Sequence, residues 1–380
     1  MEFAFTEEQQ MIRDTAESFL SDVSTSEAIR EAMATEQGYD AALWQRLCNE
    51  LYFQAITIPE EFGGMGLGYV ELVAVMEQMG RFLLCAPYFS TVCMAIPALL
   101  FAANEAQQAE YFEKIMGGET ATLAFTANGQ WDADGITATC RKDGGHYVIN
   151  GQYRYVIDGH TADNLVVAAK CQDSKEKDIC LFVIPSNTGG ITRSWLPTMD
   201  QTRKQAEIVF DNVKVYPDAL MMEDAAEVLA KVLDLATISL AAEQMGGSQR
   251  VLDMSVEYTK ERVQFNRPIA SFQSIKHKAA DMMTRVEAAR SGVYYAACVE
   301  QEALVGGPLA NELSEAASIV KSYCSDSYFK NAGDAIQMYG GVGFTWEYDV
   351  HLFFKRAKAS EHFLGNAAYH RERLASMLLG

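Results

Sequence analysis

The chain has 380 residues, 49% hydrophobic and 22% charged, enough apolar content for two or three cores and too much for a mainly disordered chain. Its formal net charge of −20 repels phosphate-rich surfaces, so nucleic acid and anionic membranes are excluded as main partners. The cysteines Cys48, Cys85, Cys93, Cys140, Cys171, Cys180, Cys298 and Cys324 form no C-x-x-C pair and no zinc-type spacing with histidine. Most sit in apolar runs, so buried reduced thiols, no metal and a cytoplasmic location are expected.

The first residues, MEFAFTEEQQMIRDTAESFL, are acidic and amphipathic, which does not fit a signal peptide. Apolar runs such as VCMAIPALLFAA fall short of the roughly 20 residues a membrane helix needs. Phe5, Met11, Ile12, Ala16, Phe19 and Leu20 keep helical spacing after Thr6, which opens a capping-box-like start. Trp44, Leu47 and Leu51 carry a second stripe. Tyr69 to Leu84 carries a third, after Gly63-Gly64-Met65-Gly66, and Glu105 to Met116 a fourth, with Asn104 as N-cap.

Near Thr120 the period changes. The runs ATLAFTA, HYVINGQYRYVI, NLVVAAK, DICLFVIP, GGITRSW and AEIVFDNVKV are separated by turn signals at Asp143-Gly144-Gly145, Asn150-Gly151, Pro185-Ser186-Asn187 and Gly189-Gly190. They predict short strands in an antiparallel sandwich or barrel. From about Ala225 four long periodic segments follow, 225–264, 271–304, 309–339 and 347–375. They are broken at Asn266-Arg267-Pro268, Gly306-Gly307-Pro308 and Gly340-Gly341, and they predict a four-helix bundle. The fold class is therefore α+β, with an N-terminal helical domain (1–118), a middle β domain (119–222) and a C-terminal helical bundle (223–380).

Four strings, in this order, resemble the acyl-CoA dehydrogenase family over about residues 3 to 375. They are Ile58-Pro59-Glu60-Glu61-Phe62-Gly63-Gly64, Tyr147-Val148-Ile149-Asn150-Gly151-Gln152, Arg262 to Ile269 with Phe272-Gln273, and Gln337-Met338-Tyr339-Gly340-Gly341-Val342-Gly343-Phe344. The second resembles a β-domain hairpin of the family. The resemblance implies FAD as cofactor and α,β-dehydrogenation of an acyl-CoA thioester: a carboxylate takes the α-proton and the flavin accepts the β-hydride. It implies that Arg262 contacts the FAD pyrophosphate of a neighbouring subunit, a role for which a bidentate guanidinium is suited. Gln264, Phe265 and Gln273 are implied beside the cofactor, and Gln337, Met338, Tyr339, Gly340 and Gly341 as a backbone contact to the dinucleotide. An electron-transfer flavoprotein is the implied acceptor.

The departures from the family pattern are as informative. Where the family places its catalytic glutamate, in a Tyr-Glu-Gly-Thr-like string, this chain has Phe363-Leu364-Gly365-Asn366. At the alternative position, on the first long bundle helix, it has Ala236. Neither side chain accepts a proton. Glu243 and Glu361 are the nearby carboxylates that could substitute, against structural roles for both. The family's Thr-Glu-Pro-x-Ala-Gly-Ser-Asp stretch is replaced by Phe125 to Asp132, and its Trp-Ile-Thr by Tyr155-Val156-Ile157. The grip lent to a neighbour's FAD is thus kept, and the base and ring pocket are eroded. This resembles the half-site chain of α2β2 dehydrogenases associated with bulky acyl-CoA thioesters, including steroid side chains. The alternatives are a homo-oligomeric dehydrogenase with a relocated glutamate, and a non-redox acyl-CoA-binding or structural protein.

Overall fold

The computed structural model describes residues 5–172 and 178–380. Helix α1 (Glu7–Val23) begins at a full capping box: the Thr6 hydroxyl accepts from the Gln9 amide, and the Gln9 side chain accepts from the Thr6 amide. A short α2 (Ser26–Ala34), which sequence periodicity did not pick out, follows. Helix α3 (Ala41–Arg46) starts at Asp40 and runs into a π-helical turn through Leu51. Helices α4 (Tyr69–Arg81), α5 (Ile96–Ala102) and α6 (Glu105–Met116) complete the N-terminal set, the last with a capping box from Asn104 and Gln107.

The strands are β1 (Ala121–Ala124), β2 (Thr139–Asp143), β3 (His146–Ile157), β4 (Asn164–Cys171), β5 (Ile179–Pro185), β6 (Ile191–Leu196), β7 (Gln205–Val215) and β8 (Leu220–Met222). They hydrogen-bond in the order β6-β7-β3-β2-β4-β5-β8, with β1 also on β4. Most ladders are antiparallel; β1 and β2 run parallel to β4. Strand β4 is central, and Leu165 to Ala169 have no exposed surface, which explains the unbroken apolar run in its sequence. Asn150-Gly151, expected as a turn in a hairpin, instead lies within the continuous β3. It forms a register shift against β7, with Gly151 at φ +142°, and the Asn150 side chain accepts from the Asn212 amide. A Cβ at Gly151 would lie 2.5 Å from the Ala138 Cα, so glycine here admits a neighbouring backbone rather than reversing the chain.

Helix α7 (Ala226–Glu261) is followed by a miniature hairpin, β9 (Val263–Gln264) and β10 (Arg267–Pro268), then α8 (Gln273–Val305), α9 (Leu313–Tyr339), α10 (Val350–His362) and α11 (Ala367–Leu379). The fourth expected segment is therefore two helices, separated at Phe363 to Asn366. Leu364 takes φ +58° and Gly365 φ +94°, and the Asn366 side chain caps α11 by accepting from the Tyr369 amide.

The chain forms two compact units. One comprises the N-terminal stretch through Arg30, Tyr69–Leu84 and Thr237–Gly380; the other comprises Glu31–Gly68 and Cys85–Ala236. In the first, α9 packs against α8, α10 and α11, and α4 packs against α1 and α8. Two glycines let α4 and α7 meet backbone to backbone. A Cβ on Gly246 would stand 1.8 Å from the Glu77 carbonyl oxygen, and one on Gly80 would stand 2.0 Å from that of Glu243. Among the described residues no helix is long and apolar enough to cross a membrane.

Candidate functional site

The first candidate surface lies at the C-terminal end of α7. Gln264 pairs with Arg267 and Val263 with Pro268, leaving Phe265 and Asn266 as a two-residue loop with φ +52° and +59°, the signs a tight right-twisted hairpin requires. The strained loop points the Phe265 ring outward, 85% exposed, with an edge contact to Phe272 at 6.0 Å between centroids. Arg262, Gln264 and Gln273 are exposed beside it. The Arg262 guanidinium meets no carboxylate among the described residues, whereas the Arg267 guanidinium lies over the Phe272 ring at 4.0 Å. An exposed flat ring next to an unneutralised guanidinium is a surface prepared for an aromatic, anionic ligand.

The second surface is the C-terminal end of α9. Gln337 is exposed, Gly340 adopts φ +67° and ψ −142°, and a Cβ on Gly340 or Gly341 would meet nothing within 4 Å. Backbone is thus open to close approach. Met338 and Tyr339 are placed differently: both residues are buried. Tyr339 stacks on Tyr258 at 4.1 Å, and the Tyr258 hydroxyl donates to the Tyr339 carbonyl at 3.4 Å. Tyr258 stands one helical turn before Arg262, so this stack fastens the two surfaces together. Sequence periodicity did not single out that clasp, because tyrosine at helical spacing is ordinary core material. An open groove of about 880 Å³ also reaches Gln337, but its Lys278 and Arg285 are already paired with Asp334, at 2.7 and 2.5 Å.

Leu364 and Ala236, the two positions expected for a base, are both buried. Leu364 is 2% exposed in the left-handed turn between α10 and α11. Its carbonyl accepts from His370 Nε2 at 2.8 Å, which fixes the proton on that nitrogen. Burial, then the nearby Lys321 charge, depress His370 to about 3. Lys321 itself is fully buried, and its ammonium donates to the carbonyls of Ser360, Glu361 and Gly365 and to the Ser325 hydroxyl, at 2.9–3.1 Å. Burial lowers it to about 7. This cage was missed in the sequence, although a lysine on the same helical face as Ala317, Val320 and Cys324 is a visible anomaly. Ala236 is completely buried within α7.

Neither substitute carboxylate stands unengaged. Glu243 is 3% exposed, and its Oε1 accepts from Arg356 at 3.0 Å; Arg356 is itself 2% exposed. Glu361 Oε2 accepts from Lys358 at 2.9 Å. In the other unit, Tyr155 is 42% exposed while Val156 and Ile157 are buried. Thr126 keeps a buried hydroxyl with no hydrogen-bond partner among the described residues. In the first unit the open glycine backbone, Arg262 and Phe265 suit the diphosphate and ring systems of FAD; in the other unit the Thr126 hydroxyl is a buried polar atom that a bound cofactor could pair.

Helices, then a sheet, then long helices is the plan of a class of flavin-dependent oxidoreductases. The chain belongs to the acyl-CoA dehydrogenase family: residues 6–119, 126–213 and 226–379 match its N-terminal, middle and C-terminal domains. It is 31% identical to the acyl-CoA dehydrogenase IpdE2 of Mycolicibacterium smegmatis, over 95% of each chain. Its fold is similar to that of butyryl-CoA dehydrogenase from Megasphaera elsdenii (TM-score 0.90, 27% identity, 100% of each chain covered). It is also similar to a chain of the ChsE4-ChsE5 complex of Mycobacterium tuberculosis (TM-score 0.87, 26% identity, 100% of this chain and 99% of that one). The family is FAD-dependent, and its members are oxidoreductases of acyl-CoA thioesters.

Proposed function

We propose that this chain is the base-lacking partner in an α2β2 acyl-CoA dehydrogenase, completing the FAD site of a paralogous chain that carries the proton acceptor. The observation that carries this reading is the state of the four candidate base positions. Leu364 and Ala236 have no acidic group, Glu243 is committed to the buried Arg356, and Glu361 to Lys358. Each carboxylate accepts a charge-assisted hydrogen bond that occupies one of its oxygens.

In this assembly Arg262 binds the diphosphate, Phe265 lies against a ring system, and Gln264 and Gln273 donate or accept at the dinucleotide. Gln337 and the backbone of Met338 to Gly341 close over it. Bound flavin supplies the two-electron acceptor, and an electron-transfer flavoprotein is the next acceptor. The substrate is a bulky acyl-CoA thioester, steroid side chains included; similarity to a chain of a two-protein complex supports the hetero-oligomer. The test is purification of the chain alone and with the product of a neighbouring paralogous gene, followed by native mass and flavin-to-protein ratio. The expected result is poor flavin retention and no turnover alone, and both restored in the pair. Full flavin loading and turnover in the lone chain would overturn it. The orphaned Thr126 hydroxyl supports a second reading, a homo-oligomer that retains its own flavin, and the same measurement decides between the two.

A further inference from the structure

Three cysteines from three strands meet on one face of the sheet. In the parallel β2/β4 ladder, Cys140 stands directly opposite Cys171. In the antiparallel β4/β5 ladder, Cys180 stands opposite Ala169, two residues before Cys171 and therefore on its face. The three Sγ atoms all lie within 4.8 Å of one another, all three residues are buried, and none is in a disulfide. Linear spacing could not reveal this set, because its members lie 31 and 9 residues apart and belong to no local motif.

We infer that Cys140, Cys171 and Cys180 form a trithiolate site for a thiophilic divalent d10 cation, of the zinc or cadmium type, within the β sheet. The cluster supplies three of the four ligands such an ion usually takes, at close to the needed distance. A triangle of that edge places its centre about 2.8 Å from each sulphur, against about 2.3 Å for a zinc–thiolate bond. Each sulphur therefore moves inward by about 0.5 Å at most, within reach of small side-chain rotations. All-sulphur ligation selects soft cations over magnesium or calcium.

Charge selects the divalent ion. Three thiols release three protons on binding, so a divalent cation leaves one net negative charge in the buried site, whereas a monovalent one leaves two. Binding is thus a proton-for-metal exchange with no change of oxidation state. The ion ties β2, β4 and β5 together, and it stabilises the folded sheet by mass action.

The test is titration of the reduced full-length chain, as purified with its flavin and any partner, with cadmium chloride. The readouts are the ultraviolet thiolate-to-cadmium absorption, bound metal per chain and the thermal melt. The structure predicts one ion per chain, a raised melting temperature and an apparent affinity that climbs steeply with pH. The limit is about a thousandfold per pH unit, since each of three protons contributes about tenfold. Cys171→Ala is the gentlest disruption because Cys171, at 9%, is the most exposed of the three. It should weaken binding by about a hundredfold or more and abolish the melt shift. Cys298→Ala, at a half-buried thiol outside the cluster, should change neither. Circular dichroism and flavin content matching wild type verify the fold of both variants. No uptake by the wild-type chain, or wild-type uptake by Cys171→Ala, would overturn the inference, as would loss of uptake in Cys298→Ala.

Discussion

Replacing Glu243 separates a structural carboxylate from a relocated catalytic base. Its partner Arg356 is 2% exposed, so Glu243→Leu removes the carboxylate facing a guanidinium in a low-dielectric interior. Breaking one side of such a buried pair costs about 3–5 kcal/mol. For a unit of this size, each kcal/mol moves the melting temperature by about 2–4 °C, so the helical unit should melt roughly 6–20 °C lower. Removing both charges, as in Glu243→Leu with Arg356→Met, should recover most of the loss, because the pair's attraction and its desolvation nearly cancel. Glu243→Gln is the discriminating variant, since its amide oxygen still accepts from Arg356. With the chain purified beside its partner, its melt should fall by no more than about 1–2 kcal/mol equivalent. Turnover per bound flavin should stay within about twofold. A base removed from the reacting carbon would instead lower turnover by about 10²–10⁴-fold. Calorimetry together with turnover normalised to flavin measures both quantities. A hundredfold loss of turnover at an unchanged melting temperature would refute the assignment of Glu243 to the fold.

Gly246→Ala should be strongly destabilising, by about 1–3 kcal/mol or more, because its Cβ lands 1.8 Å from the Glu77 carbonyl at the α4–α7 crossing; a thermal melt checks it. Arg262→Ala should weaken FAD retention in the purified assembly about 10- to 100-fold, the equivalent of a lost charge-assisted hydrogen bond, read as the flavin-to-protein ratio across a dilution series. Glu300 on α8 is fully buried, neither of its oxygens has a hydrogen-bond partner among the described residues, and burial raises its pKa well above the ordinary range. The native state therefore keeps a proton that the unfolded chain sheds above about pH 4.3, so stability falls as pH rises from there toward the folded pKa. Glu300→Met should flatten that slope in urea titrations at several pH values and add about 1–3 kcal/mol near neutrality.

The long elements were legible because their signals are redundant. Thr6 with Gln9, and Asn104 with Gln107, close capping boxes where the apolar period begins, and α7, α8 and α9 sustain that period over many turns. Signals that serve two purposes were misread. Asn150-Gly151 has the composition of a turn, yet its glycine is required by the 2.5 Å approach of Ala138, and the strand continues through it. The 347–375 segment carried a stop and a start in Gly365-Asn366, but the flanking apolar residues masked the break. Arg262, Gln264, Phe265, Gln273, Gln337, Gly340 and Gly341 were singled out through the strings that resemble the family, and the structure places all of them exposed at two helix ends. Interactions assembled from distant segments left no such mark. Lys321 reaches carbonyls some forty residues away, and Cys140 meets Cys171 and Cys180 only through strand register.

The turn around Leu364 joins these observations. A leucine in the left-handed region carries a backbone cost of about 1–2 kcal/mol, and the turn is kept in place by a buried ammonium on Gly365 and an imidazole on Leu364. The Gln244 side chain donates to both Ser325 and Ser360, and so ties α7 into the same cage. Glu243, the adjacent residue on α7, is engaged by Arg356 from α10. The polar interior of this bundle therefore converges on fixing the α10–α11 turn, although the side chain at its apex is leucine. Rigidity at that point serves the shape of the bundle, independently of proton transfer. Under the proposed base-lacking role, the turn holds its place in the bundle through these contacts while a hydrocarbon fills its apex.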